Sequence, residues 1–258
     1  MPIVEVLRER GVARVWLNRP EQHNALGHEL VAELTNAFHA LAVDRTVRVV
    51  VLGGHGPSFC AGADIGAMRA SAGAPFDDNV AEAERLGALF AAVADLPKPV
   101  VGRLHGGVFG GGMGLACTCD IAVSTGDARF GLTEVRLGIV PALISPYVIR
   151  RLGDSRAREL MLTGERFGAA DALRMGVVHH SVPVEELDAR IDERVASLLE
   201  GGPEAQHRIK SLLHQWGELG FDPYRALLPR ALAEVRAGDE AKDGLAAFFE
   251  KRPPRWKA

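Results

Sequence analysis

Two apolar runs rich in β-branched residues, Val47–Leu52 and Val100–Leu104, each pass directly into a glycine-bearing turn. This repeated step from strand to glycine constrains the architecture of the chain more than any other feature. After the first run comes Ser58-Phe59-Cys60-Ala61-Gly62-Ala63-Asp64. After the second comes His105-Gly106-Gly107-Val108-Phe109-Gly110-Gly111-Gly112-Met113-Gly114. Short apolar runs bounded by turn residues read as strands buried on both faces. Glycine at their ends admits positive φ and lets another backbone come close. Beyond Gly112 the residues suit a helix, so Gly110 to Gly112 present unpaired N–H groups at its start. Two N–H donors, one from each turn, can converge on a single developing oxyanion.

The rest of the chain fits an alternating plan. Ile3–Leu7 and Val12–Leu17 read as strands around a charged turn ending at Gly11. The segment from Asn18 to Leu26 is a loop, with Asn24 expected to cap the helix that follows. Leu26, Leu30, Leu34, Phe38 and Leu41 recur at three- and four-residue spacing, which predicts an amphipathic helix. From Asp64 to about Pro75 the chain is Gly/Ala-rich and weakly periodic, which suggests a mobile flap. A helix over Asp77–Ala94 stops at Pro97-Lys98-Pro99. Asp120–Ser124 and Ala128–Phe130 read as strands. Such alternation predicts an α/β core built by crossovers. From Ala142 onward the pattern is mainly helical, over Ser155–Leu162, Ala169–Met175, Glu185–Leu199, Pro203–Trp216 and Phe221–Phe249, with Val177–Val182 as a last strand. The expected division is a core over 1–200 and a helical region over 201–258.

Several chemistries are disfavoured. A formal net charge of −3 leaves no electrostatic footprint for nucleic acid. Three cysteines are too few for a disulfide framework and point to a reducing compartment. No signal-type segment opens the chain, and no uncharged run is long enough to span a bilayer. The expectation is therefore a cytoplasmic protein with no membrane partner. The glycine cluster has no G-x-G-x-x-G register, and neither a phosphate loop nor a G-x-S-x-G elbow occurs. His28-Glu29, Cys117-x-Cys119 and His179-His180 lack the partners a metal site needs, so none is expected. One carboxylate stands out. Glu134 lies within the otherwise apolar segment Phe130–Pro141, where burial would raise its pKa and suit it to proton transfer. A structural pairing with Arg136 is the alternative.

Taken in order, these blocks resemble the crotonase (enoyl-CoA hydratase/isomerase) superfamily from Val12 to Lys251. The matching stretches are Leu17–Pro20 with Asn24–Leu26, Phe59–Asp64, Gly106–Asp120, Thr133–Pro141, Leu162–Gly164 and Ala247–Arg252. The resemblance implies an α/β spiral of ββα units with a helical C-terminal trimerisation region, assembled as a homotrimer or a dimer of trimers. It implies an acyl-CoA thioester as substrate and no separate cofactor. It places the oxyanion donors on the N–H groups of Ala63 and Gly111 and the acid–base role on Glu134. It also puts the coenzyme A end near Arg19, Ala61 and Asp64, with Phe248 and Lys251 covering it from a C-terminal helix, often that of a neighbouring subunit.

One departure from the family pattern stands out. The best-known hydratases carry a second glutamate where this chain has Gly114. Glycine there, with the runs Glu134–Gly138 and Pro141–Pro146, resembles the branch of bacterial 3-methylglutaconyl-CoA and isohexenylglutaconyl-CoA hydratases. The implied reaction is hydration of a branched enoyl-CoA, with or without a second carboxylate, for which Arg69, Arg85 or Arg136 are candidate cations. A Δ3-to-Δ2 enoyl-CoA isomerase, which needs only one carboxylate, and a non-catalytic acyl-CoA-binding protein are the alternatives.

Overall fold

The computed structural model describes residues 2–71 and 73–257. Strands β1 (Val4–Glu9) and β2 (Val12–Leu17) form an antiparallel hairpin. Its two turn residues, Arg10 and Gly11, both have positive φ (47° and 80°), which matches the right-handed twist of the flanking strands. Helix α1 (His28–Val43) buries the expected stripe of Leu30, Leu34, Phe38 and Leu41. Next come β3 (Val49–Gly54), α2 (Ile65–Ser71), α3 (Phe76–Ala94), β4 (Val100–Leu104) and β5 (Gly107–Phe109). The chain continues through α4 (Gly111–Thr118), β6 (Ile121–Thr125), β7 (Arg129–Gly131) and a 3-10 turn at Glu134–Leu137. Then follow α5 (Ser145–Thr163), β8 (Arg166–Gly168), α6 (Ala169–Met175) and β9 (His180–Val182). The last helices are α7 (Leu187–Glu200), α8 (Pro203–Glu218), α9 (Phe221–Ala237) and α10 (Asp239–Glu250).

The main sheet has the order β1-β2-β3-β4-β6-β9 and is parallel from β2 onward. Strand alternation splits its side chains between two cores. Val50, Leu52, Val100 and Leu104 join the α1 and α3 stripes on one face. Val49, Val51, Val101 and Val123 meet Leu187, Ile191 and Val195 of α7 on the other. Burial on both faces accounts for the unbroken apolar runs of β3 and β4. A small second sheet, β5-β7-β8, stands beyond the ends of β4 and β6.

Three expectations need correction, and the segment expected to be a flap gains a helix. Asn24 does not cap α1, whose N-cap is Gly27. Asn24 is instead fully buried in the left-handed region (φ 55°), and Asn tolerates that region better than most residues. Its side chain accepts from the Arg19 N–H and donates to the carbonyls of His55 and Ser58, tying two loops together. The segment read as a flap contains α2; its position 72 lies outside the described residues. Asp64 explains this helix. Its Oδ1 accepts the N–H groups of Gly66 (2.8 Å) and Ala67 (3.1 Å), a side-chain cap that composition hid. The long C-terminal helix is two helices, parted at Gly238, which ends α9 and starts α10. Val177 and Val178 donate to Ala172 O in the turn after α6, so the last strand is only His180–Val182.

Both buried clusters are built from residues before position 200. The tail beyond α10 folds back onto this body. Asp243 accepts from Arg252 Nη2 (2.9 Å) and the Arg255 N–H (2.7 Å). Arg48, just before β3, donates to the carbonyls of Gly201 and Trp256.

Candidate active site

The two glycine turns leave neighbouring parallel strands, β3 and β4, at the same edge of the sheet, where α/β folds commonly place their ligand sites. They then run parallel to each other. Phe59 N–H donates to His105 O (2.9 Å), Cys60 N–H to Gly107 O (3.1 Å) and Phe109 N–H to Cys60 O (3.0 Å). The pairing of Cys60 with Val108 sets the register. Two residues on, Gly62 (φ 100°) packs against Gly110 (φ 49°). A Cβ added to Gly62 would stand 3.0 Å from Phe109 O and 3.6 Å from Gly110 Cα. One residue further along each turn are Ala63 and Gly111.

On one side of each of these two residues the flanking N–H is engaged. Asp64 N–H donates to Leu26 O, and Gly110 N–H to Gly131 O. The amides of Ala63 and Gly111 donate to no backbone carbonyl among the described residues. Gly111 is the first residue of α4, so its N–H adds the positive end of the helix.

Glu134 opens the 3-10 turn after β7, and Gly138 closes that turn in the left-handed region (φ 73°). Its Oε1 lies 3.1 Å from the place a Gly110 Cβ would occupy. The acid therefore stands against the contact of the two turns. Its Oε2 is buried without a hydrogen-bond partner. Burial pushes the carboxyl above the usual carboxylate range. Arg136 is not its partner but packs against Gly164.

Position 114 is closed. A Cβ there would stand 2.2 Å from Ile144 Cγ2 and 2.9 Å from Phe90 Cε1. The volume a second carboxylate would need is filled by two buried apolar side chains. Ile144 falls within the run Pro141–Pro146, but nothing in the sequence assigns it a role of its own, because it is an ordinary apolar residue before α5.

The other sequence-derived residues are placed as follows. Arg19 is mostly buried, with Nη1 3.6 Å from Asp64 Oδ2. Ala61 is exposed and its N–H donates to His23 O. Phe248 and Lys251 are on or just after α10, which packs on α8 and α9; Phe248 is 77% exposed. Arg69 is exposed on α2, whereas Arg85 lines a cavity of about 170 Å³ between α1 and α3. Cys60 is no nucleophile, since burial pushes its thiol up to about 12.

Residues 8–258 match the sequence profile of the family described as enoyl-CoA hydratase/isomerase. The chain belongs to this family. Pseudomonas aeruginosa AtuE is 36% identical, with a TM-score of 0.95 over 100% of both chains. An enoyl-CoA hydratase from Shewanella pealeana is 34% identical, with a TM-score of 0.95 over 99% of this chain and 96% of its own. A short-chain-enoyl-CoA hydratase from Clostridium acetobutylicum is 33% identical over 95% of this chain and 94% of its own length. The architecture described above is thus the crotonase α/β fold, with its helical C-terminal region. No helix among the described residues is long and apolar enough to cross a membrane.

Asp64 carries a separate expectation. Asp64→Ala should lower unfolding free energy by about 1 kcal/mol through loss of the α2 cap, read by urea titration. It should also expose the α2 segment to limited proteolysis. Unchanged cleavage would show that the cap does not hold this helix.

Proposed function

We propose that this family member is a hydro-lyase that adds water reversibly across the 2,3 double bond of an enoyl-CoA thioester. The observation that carries the reading is the half-buried Glu134 carboxyl, whose Oε2 is buried and unpartnered, beside two turns whose next amides are unpaired. The thioester oxygen accepts from the N–H groups of Ala63 and Gly111. Glu134, as carboxylate, takes a proton from water as the water oxygen bonds to Cβ. The π electrons move onto the thioester as an enolate. Glu134 then returns its proton to Cα, so one water is consumed and the carboxylate is regenerated. A raised pKa suits a group that must both accept and donate a proton near neutrality.

We extend the reading to a branched acyl group, with a second carboxylate held by Arg69, the exposed cation that follows the Ala63 turn. The support is the resemblance of Glu134–Gly138 and Pro141–Pro146 to that branch of the family. Arg19, Ala61 and Asp64 flank the coenzyme A end; the Arg19–Asp64 pair leaves backbone groups as its main contacts there. Exposed Phe248 and Lys251 fit a cover supplied to a neighbouring subunit of a homotrimer or a dimer of trimers.

One observation favours a second reading. Ile144 and Phe90 fill the place of a second acid, so only Glu134 is available to hold water, and one acid suffices for Δ3-to-Δ2 isomerisation. Turnover in heavy-oxygen water separates the two. A hydratase product gains the label as a hydroxyl and shifts by two mass units; an unlabelled, rearranged enoyl-CoA rejects hydration.

A further inference from the structure

We propose that Ile144 is a positioning residue for Glu134: seated on Gly114, it closes the side of the acid where a second polar group would stand. The inference rests on the reading of Glu134 as the acid–base group. Its geometry runs along one helix. Gly114 N–H donates to Gly110 O (3.1 Å), so the two glycines are one turn apart at the start of α4. Glu134 Oε1 stands against Gly110, and Ile144 stands against Gly114. The isoleucine therefore borders the same side of the helix one turn deeper.

Ile144 is only 3% exposed, and it cannot easily retreat. Its carbonyl accepts the N–H groups of Tyr147 and Val148 (both 3.1 Å) at the start of α5. Phe90, fully buried, also packs against Gly114 and meets the Tyr147 ring. A branched side chain with few rotamers, held by its own backbone, makes a firm wall.

Among the described residues, the charged side chains nearby are engaged elsewhere. Arg136 lies on Gly164, and Asp64 is held by Arg19. Glu82 of α3 is bonded to Ser71, while Arg85 lines the cavity toward α1. The first charged residue of α5, Arg150, lies against Gly217. The apolar wall accordingly keeps bulk water off this side of Glu134 and leaves its free oxygen to the reacting water and substrate. Position 114 and position 144 form a steric pair, in which a side chain at one requires a smaller residue at the other.

The test measures kcat, KM and the acid limb of kcat/KM for Ile144→Ala, Ile144→Val, Gly114→Ala and the Gly114→Ala/Ile144→Ala double variant. Ile144→Ala should move the acid limb down by about half a pH unit or more, because water now reaches the carboxylate. It should lower kcat about tenfold while KM changes less than threefold, and Ile144→Val should fall between it and the parent. Gly114→Ala should lose activity that the double variant recovers in part. An unmoved acid limb in both Ile144 variants overturns the proposal, even if their melting temperatures fall. So does a double variant no better than Gly114→Ala alone. Glu134→Gln keeps the two failures apart: substantial turnover in that variant removes the acid assignment itself, whatever Ile144 does.

Discussion

Glu134→Gln should lower kcat by about a hundredfold or more while leaving the fold and KM largely intact. Glutamine keeps the shape of the side chain and loses only the ability to take and return a proton. The carboxyl it replaces already has one oxygen buried with no partner, so no structural hydrogen bond is lost there. The parent should show a matching pH dependence. Burial raises the Glu134 pKa, and attack by water needs the carboxylate form. Activity should therefore fall as pH drops through a midpoint above the ordinary carboxylate range. In the glutamine variant that limb should vanish with the activity. Steady-state hydration assays across pH check both statements; near-parental turnover rejects the role of Glu134.

Gly112→Ala should be nearly as damaging, by a different route. Its added Cβ would stand 2.3 Å from the Cys60 carbonyl oxygen, and that carbonyl is committed. It accepts the Phe109 N–H, while the Cys60 N–H donates to Gly107. The methyl group can fit only if the two turns separate, which displaces Ala63 from Gly111. Loss of one oxyanion donor in a comparable site lowers kcat by about 10²–10³-fold. Overpacking should also cost about 1–3 kcal/mol of stability, read by urea unfolding. Gly73→Ala is the control, since a Cβ there meets no atom within 4 Å. If Gly112→Ala kept the kcat of that control, the amide pair would not be the seat of thioester activation.

Much of this layout was legible in the residues themselves. The unbroken apolar runs of β3 and β4 and the stripe of α1 specify their own elements, because each pattern matches one period of burial. Glu134 stood out because a lone acid in an apolar segment is costly unless it is used. What stayed hidden depends on contacts between distant segments. Asn24 reads as a cap in isolation, and only the fold brings His55 and Ser58 to its amide. The three-residue strands β5 and β8 are too short to show a period, and their pairing through β7 defines them. Ile144 is visible only once α5 has been docked on α4.

The strap at the chain terminus has a consequence for biosynthesis. Arg48 belongs to the opening third of the protein, yet its carbonyl acceptors are at residues 201 and 256. On a ribosome the guanidinium beside β3 must therefore wait unanswered until residues 201 and 256 have been made. A nascent chain halted before residue 256 would lack the Trp256 half of this clasp.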